Sequence, residues 1–99
     1  MRRSYSRDVL YEWDIGKAKE NVRKHGVSFE EASTVFLDSL AVTYPDPDHA
    51  PSEQREITIG HTREQMLIFV SHCERGQRIR LISARRATIA ERRQYEEIG

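Results

Sequence analysis

Asp14-Ile15-Gly16-Lys17-Ala18-Lys19-Glu20-Asn21-Val22-Arg23-Lys24-His25-Gly26-Val27-Ser28-Phe29-Glu30-Glu31-Ala32 is the stretch that decides the fold, because it carries two helix starts and one helix stop. Asp14 stands where an N-cap side chain accepts an orphan backbone N–H, and Gly26 where a left-handed residue ends a helix. Between them Ile15, Ala18 and Val22 follow 3-then-4 spacing and predict a narrow buried stripe, with Lys17, Arg23 and Lys24 mostly off it. Lys24 and His25 fall in the last turn, where the helix dipole favours cations. Ser28-Phe29-Glu30-Glu31 then has the capping-box pattern of a second helix, with Phe29, Ala32 and Phe36 turned inward, Val35 beside them, and an end near Asp38. Gly26-Val27 leaves only a tight connection, so the two helices are expected to form a hairpin.

Strands surround this hairpin. Before it, Val9-Leu10-Tyr11-Glu12-Trp13 reads as a strand with Val9, Tyr11 and Trp13 on one face. After it, Leu40 to Tyr44 is β-rich and stopped by Pro45, and 46–53 is a loop. Arg55 to His61 alternates Ile57 and Ile59 against Glu56 and Thr58. A turn at Thr62–Gln65 leads into Met66 to Cys73, which is apolar on both faces through Val70 and therefore central in the sheet. Glu74-Arg75-Gly76-Gln77 is a hairpin turn. In the last strand, Arg78 to Ala84, the period places Arg78, Arg80 and Ile82 on one face and Ile79, Leu81 and Ser83 on the other. Thr88-Ile89-Ala90-Glu91 repeats the capping box and opens a helix to the C-terminus, with Ile89 and Tyr95 or Ile98 facing inward. The expected fold class is α+β in the order β-α-α-β-β-β-β-α, a helix hairpin and a C-terminal helix on a mainly antiparallel sheet.

Composition narrows the function. The 99 residues suffice for one domain, and 37% apolar with 32% charged residues is a wet but globular balance. Met66 to Val70, the longest apolar stretch, is far below the ~18 residues of a spanning helix. The charged start, Met1 to Asp8, is no secretory signal, and the single Cys73 forms neither an internal disulfide nor a cysteine zinc site. Membrane, collagen-like and disulfide-scaffold classes are excluded, and a cytoplasmic location is expected. The net charge of zero is unevenly spread: residues 1–27 sum to +3, 28–53 to −6, 54–74 to −1 and 75–99 to +4. If the fold joins the two basic ends, they form a face able to hold phosphate; otherwise the charges are solvated and self-cancelling.

Most catalytic chemistries lack their residues. Asp46, Asp48, His49 and Glu53 crowd one loop, but their spacing matches no calcium loop and Asp-Pro-Asp is ordinary turn composition, so we expect no metal site. His61 and His72 are read as surface or half-buried strand residues, and Cys73 as a small core residue. There is no Gly-x-Ser-x-Gly elbow and no Gly-rich phosphate loop, so no cofactor is expected. Arginine remains. Arg85 and Arg86 lie at the end of the last strand, just before a capped helix start, where guanidinium and free N–H groups converge on an anion site. Arg78 and Arg80 read instead as edge-strand charges that deter aggregation.

Tyr11-Glu12-Trp13-Asp14, Lys17, Asn21 and Lys24-His25-Gly26-Val27-Ser28-Phe29-Glu30-Glu31-Ala32 resemble the N-terminal half of the BrnT toxin family. Arg55 before Ile59-Gly60, Ile82-Ser83-Ala84-Arg85-Arg86-Ala87 and Glu91-Arg92-Arg93-Gln94-Tyr95-Glu96 resemble its C-terminal half. The resemblance spans about Val9 to Glu97. It makes residues 9–99 one toxin-like domain and 1–8 an extension. Tyr11 stands where Phe is common, and the 45–53 loop is longer than usual.

The resemblance implies a RelE-like fold and the toxin of a type II toxin–antitoxin system. It implies a metal-independent endoribonuclease that inhibits translation and is neutralised by a BrnA-type, ribbon-helix-helix antitoxin. Operator DNA would be bound only through that antitoxin, which would dock across the basic face. On this reading Arg85 and Arg55 grip the scissile phosphate, and His25 carries a proton or, alternatively, caps its helix. Lys24 and Arg86 lie along the RNA, Tyr95 bonds near the leaving group or packs, and Trp13 stacks on a base or packs. The alternative is a non-catalytic, decayed toxin that serves as an antitoxin-binding corepressor.

Overall fold

The computed structural model describes residues 10–48 and 54–98. Its elements are β1 (Leu10–Glu12), α1 (Ile15–His25), α2 (Phe29–Ser33) running into a 3₁₀ turn (Thr34–Leu37), β2 (Val42–Pro45), β3 (Arg55–His61), β4 (Leu67–Arg75), β5 (Arg78–Arg86) and α3 (Ile89–Ile98). The α+β class and the expected order of elements are present. Residues 1–9, among them Val9, together with His49, Glu53, the rest of 49–53 and the side chain of Ile98, lie outside the described residues. The strands form one sheet in the order β1-β5-β4-β3-β2. β1 runs parallel to β5, and the other neighbours are antiparallel. No helix among the described residues is long and apolar enough to cross a membrane.

The caps behave as the sequence predicts. Asp14 accepts the N–H of Lys17 at 2.9 Å and Gly26 closes α1 at φ 69°. Ser28 accepts the N–H of Glu31 at 3.1 Å. α1, α2 and the 3₁₀ turn cover one face of the sheet. Val27, Phe29, Ala32, Val35 and Phe36 meet Ile68, Val70, Ile79, Leu81 and Ala84 there, with Tyr11 and Trp13 at the margin. Tyr11 stacks on Phe36 at 5.6 Å between centroids, and Trp13 meets the edge of Phe29 at 5.8 Å.

The stripe predicted for α1 is not the buried one. Ile15 is 71% exposed and Val22 49% exposed, whereas Asn21 is buried. β1 covers β5 only from Arg78 to Arg80, so farther along that edge the backbone of Ala84 has no strand beside it. The Asn21 amide takes the missing strand's place, donating to the carbonyl of Ala84 at 2.8 Å and accepting its N–H at 3.0 Å. It donates also to the carbonyl of Val27 at 2.9 Å, which fixes the connection between the helices. A pair of buried backbone groups, rather than an apolar stripe, chooses the face α1 presents.

Five further expectations are corrected. Pro45 lies inside β2, opposite Glu56, because β2 is an edge strand where a missing N–H is tolerated. β5 carries a bulge: Ser71 pairs with Ser83 but His72 with Leu81, so Ile82 is extra and the inward series Ile79, Leu81 continues at Ala84 rather than Ser83. Arg78 and Arg80 are not on an edge strand; both pair with Glu12 of β1, at 3.7 and 3.0 Å. His72 is fully buried rather than superficial, its Nε2 within 2.7 Å of Thr58 Oγ1, which in turn lies 2.7 Å from Thr43 Oγ1. Ile89, expected inward, is 75% exposed, since the residues of α3 that meet the sheet are Glu91 and Tyr95.

Asn21→Ala strands several buried backbone groups at once, each worth about 1–3 kcal/mol when left unpaired. We expect it to destabilise the fold by roughly 2–4 kcal/mol in urea unfolding, and Asn21→Leu, which restores volume but not the amide, to recover little of the loss.

Candidate functional site

The face of the sheet opposite α1 and α2 is built in cross-strand rows. Val42, Ile59, Phe69 and Arg85 are successive partners across β2, β3, β4 and β5. Tyr44, Ile57, Ser71 and Ser83 form the next row, and Arg55, Cys73, Arg80 and Glu12 the row beyond. This outer face therefore carries an apolar strip with arginines at its margins. Arg85 reaches it because of the bulge: in an unbroken strand its side chain would follow Ile79 and Leu81 into the core.

Arg85 is tightly framed. Its guanidinium carbon sits 4.4 Å from the centroid of the Phe69 ring, a cation–π contact. Its Nη1 and Nη2 donate to the two oxygens of Glu91 at 2.8 and 2.9 Å. Glu91 is also the reciprocal member of the α3 capping box, accepting the N–H of Thr88 at 2.9 Å while Thr88 Oγ1 accepts its own N–H at 3.1 Å. The Arg85 hydrogen bonds, aided by the Thr88 N–H, hold the Glu91 carboxyl down to about 2. The same bonds raise Arg85. Burial raises the Tyr44 phenol, with Arg85 pulling it the other way.

α3 crosses this face at the Arg85 end. Tyr95 Oη donates to the carbonyl of Leu40 at 3.1 Å, and its ring meets His61 edge-on at 5.8 Å. Between helix and sheet lies a groove of about 640 Å³ lined by Leu40, Val42, Tyr44, Ile59, Phe69, Gln94 and Tyr95 among others. His61, at the end of β3, is half-buried as expected, with Nδ1 3.8 Å from Asp38 Oδ2. Asp38 in turn accepts the N–H of His61 at 2.8 Å.

The residues singled out in the sequence divide between two layers. Arg85 and Tyr95 meet around the groove. Arg55 shares the outer face, but its partner Cys73 is four residues from Phe69, the partner of Arg85, or roughly 13 Å along β4. Trp13 packs on the core, and Arg86, opposite Ile68, follows the inward register on the helix side. Lys24 and His25 end α1 in that same helical layer, both exposed, with Lys24 3.7 Å from Glu20. Phe69, Tyr44 and His61 were not singled out as site residues. Their signal was the outward parity of their strands, hidden at Phe69 by the apolar character of both faces of β4, and at Tyr44 and His61 by inner faces that carry Thr43 and Thr58 while Ile57 and Ile59 point outward. Among the described residues no group of three or more His, Cys, Asp or Glu side chains is placed to hold a metal.

Comparison with known proteins gives two findings. A family model described as ribonuclease toxin, BrnT, of type II toxin-antitoxin system matches residues 13–91. A crystal structure of the Brucella abortus ribonuclease toxin BrnT is similar at a TM-score of 0.66 and 26% sequence identity, covering 81% of this chain and 97% of that one. No curated protein matches.

Because the folded value of Glu91 lies below the ordinary 4.5, its pairing contributes in full above that value and is lost as pH falls through about 2. A carboxyl NMR titration should place the Glu91 midpoint near 2, and Arg85→Ala should move it upward toward the ordinary glutamate range.

Proposed function

This chain belongs to the BrnT family of ribonuclease toxins of type II toxin–antitoxin systems, and from that premise we propose that it is a metal-independent endoribonuclease. It acts in the cytoplasm, arrests translation by cutting RNA, and is neutralised by a BrnA-type antitoxin with a ribbon-helix-helix domain. Operator DNA is bound only through that antitoxin. The observation that carries the reading is Arg85, an oriented guanidinium at the mouth of an aromatic groove, on the same face as Arg55.

The end-on pairing with Glu91 uses one N–H from each Nη, and Nη1 also donates to the carbonyl of Arg86 at 3.3 Å, so about two of the five donors remain to grip phosphate while Glu91 keeps the plane fixed. In the cleavage the 2′-oxygen attacks phosphorus and the bond to the 5′-oxygen breaks, giving a 2′,3′-cyclic phosphate and a 5′-hydroxyl. A base takes the 2′ proton, an acid returns one to the 5′-oxygen, and guanidinium stabilises the phosphorane charge between these steps. Arg55 holds the RNA farther along the same face, with Tyr95 at the groove. Lys24, Arg86 and Trp13 belong to the helical layer and meet RNA only where it passes over the sheet end. For proton transfer there are two accessible described histidines. His25 is on the helical layer, whereas His61 shares the face of Arg85 and is held by Asp38.

Induced alone in cells, the chain should stop growth with RNA cleavage, relieved by the antitoxin gene and by Arg85→Ala. Purified His61→Ala should lose about 100-fold or more in kcat, and His25→Ala much less; the reverse order would return proton transfer to His25. Normal growth with intact RNA, from soluble protein that still binds its antitoxin, would favour the non-catalytic corepressor.

A further inference from the structure

We propose that the groove between α3 and the outer face is a nucleobase subsite, holding a base of the RNA whose phosphate Arg85 grips; this rests on the ribonuclease reading above. The groove's floor is the row Val42, Ile59, Phe69, which ends at Arg85, so a phosphate bound there delivers its own nucleoside along the row. Its volume, about 640 Å³, is that of a small-molecule site and accommodates a nucleotide.

The lining has the chemistry of a stacking platform. Phe69 and Tyr44 bring aromatic rings to the lining, and the Arg85 guanidinium, over the Phe69 ring, adds a planar cation beside them. Gln94 and Glu96 on α3 place an amide and a carboxylate among the lining residues, suited to the donors and acceptors of a base edge. Leu40 and Val42 are 71% and 47% exposed, apolar surface that a stacked base would cover. An apolar segment of a protein partner would cover it too. Such a partner would not need guanidinium N–H donors at the end of the row; those that Glu91 leaves unused suit a phosphate oxygen, and they favour the nucleotide.

The test measures binding of fluorescein-labelled RNA hexamers, 2′-O-methylated so that they stay uncut, with each base in turn replaced by an abasic residue. Wild-type protein should lose about 10-fold in affinity at one position, and Phe69→Leu and Tyr44→Leu, each checked for folding by thermal unfolding, should shrink that loss to under about 3-fold. Equal binding of intact and abasic hexamers, an abasic loss unchanged in whichever variants fold, or no RNA binding would overturn the proposal. So would RNA binding indifferent to Leu40→Glu and Val42→Glu when the same changes abolish neutralisation by the antitoxin gene, which would make the groove a protein-docking site. Matching unmodified hexamers separate the two readings. Base-dependent binding without cleavage keeps the subsite and removes the ribonuclease, and cleavage without base dependence does the opposite.

Discussion

The amide of Asn21 is the interaction on which this fold turns. β1 is too short to cover β5, and the uncovered stretch presents a backbone N–H and C=O that folding removes from water. One side chain satisfies both and reaches the carbonyl of Val27 as well. It therefore sets the rotation of α1, the path of the Gly26-Val27 connection and the seat of α2 on the sheet. A hydrocarbon at this position would pack but would leave the strand edge unpaired, which costs more than burial of one apolar side chain returns.

The same strand decides on which face Arg85 emerges. Ile79 and Leu81 point into the core, and an unbroken alternation would send Arg85 after them. The extra residue at Ile82 reverses the phase, so Ala84 fills the core position opposite Val70 and Arg85 emerges on the other side. One inserted residue serves packing and site together: a small side chain comes to lie under α1, where Asn21 must approach the backbone, and a guanidinium comes to lie beside Phe69. A regular strand would provide neither.

Helix boundaries were legible because they depend on local chemistry. Asp14, Gly26, Ser28 and the pair Thr88 and Glu91 cap their helices through backbone groups within a few residues, and β3 begins and ends where its alternation does. What was not legible was non-local. Periodicity cannot see that Ile15 and Val22 are turned outward by a hydrogen bond to a strand 63 residues away. It cannot see a bulge whose register belongs to two strands at once, nor that His72 is buried against a threonine of another strand. The site shows the same division. Arg85 was marked by its position before a capped helix, whereas Phe69 and His61 acquire their place only when α3 folds back over the sheet.

Glu91 joins these two kinds of information. As a capping residue it is read from the sequence, and its local duty is to close the first turn of α3. Its carboxylate has lone pairs beyond those the cap requires, and Arg85 takes them from the neighbouring element. The start of α3, the plane of the guanidinium and the end wall of the groove are thus fixed by one carboxylate. A displacement of α3 cannot leave the arginine where it was, because the hydrogen bonds that begin the helix also orient the charge. Helix placement and the orientation of the guanidinium are coupled without any intervening residue.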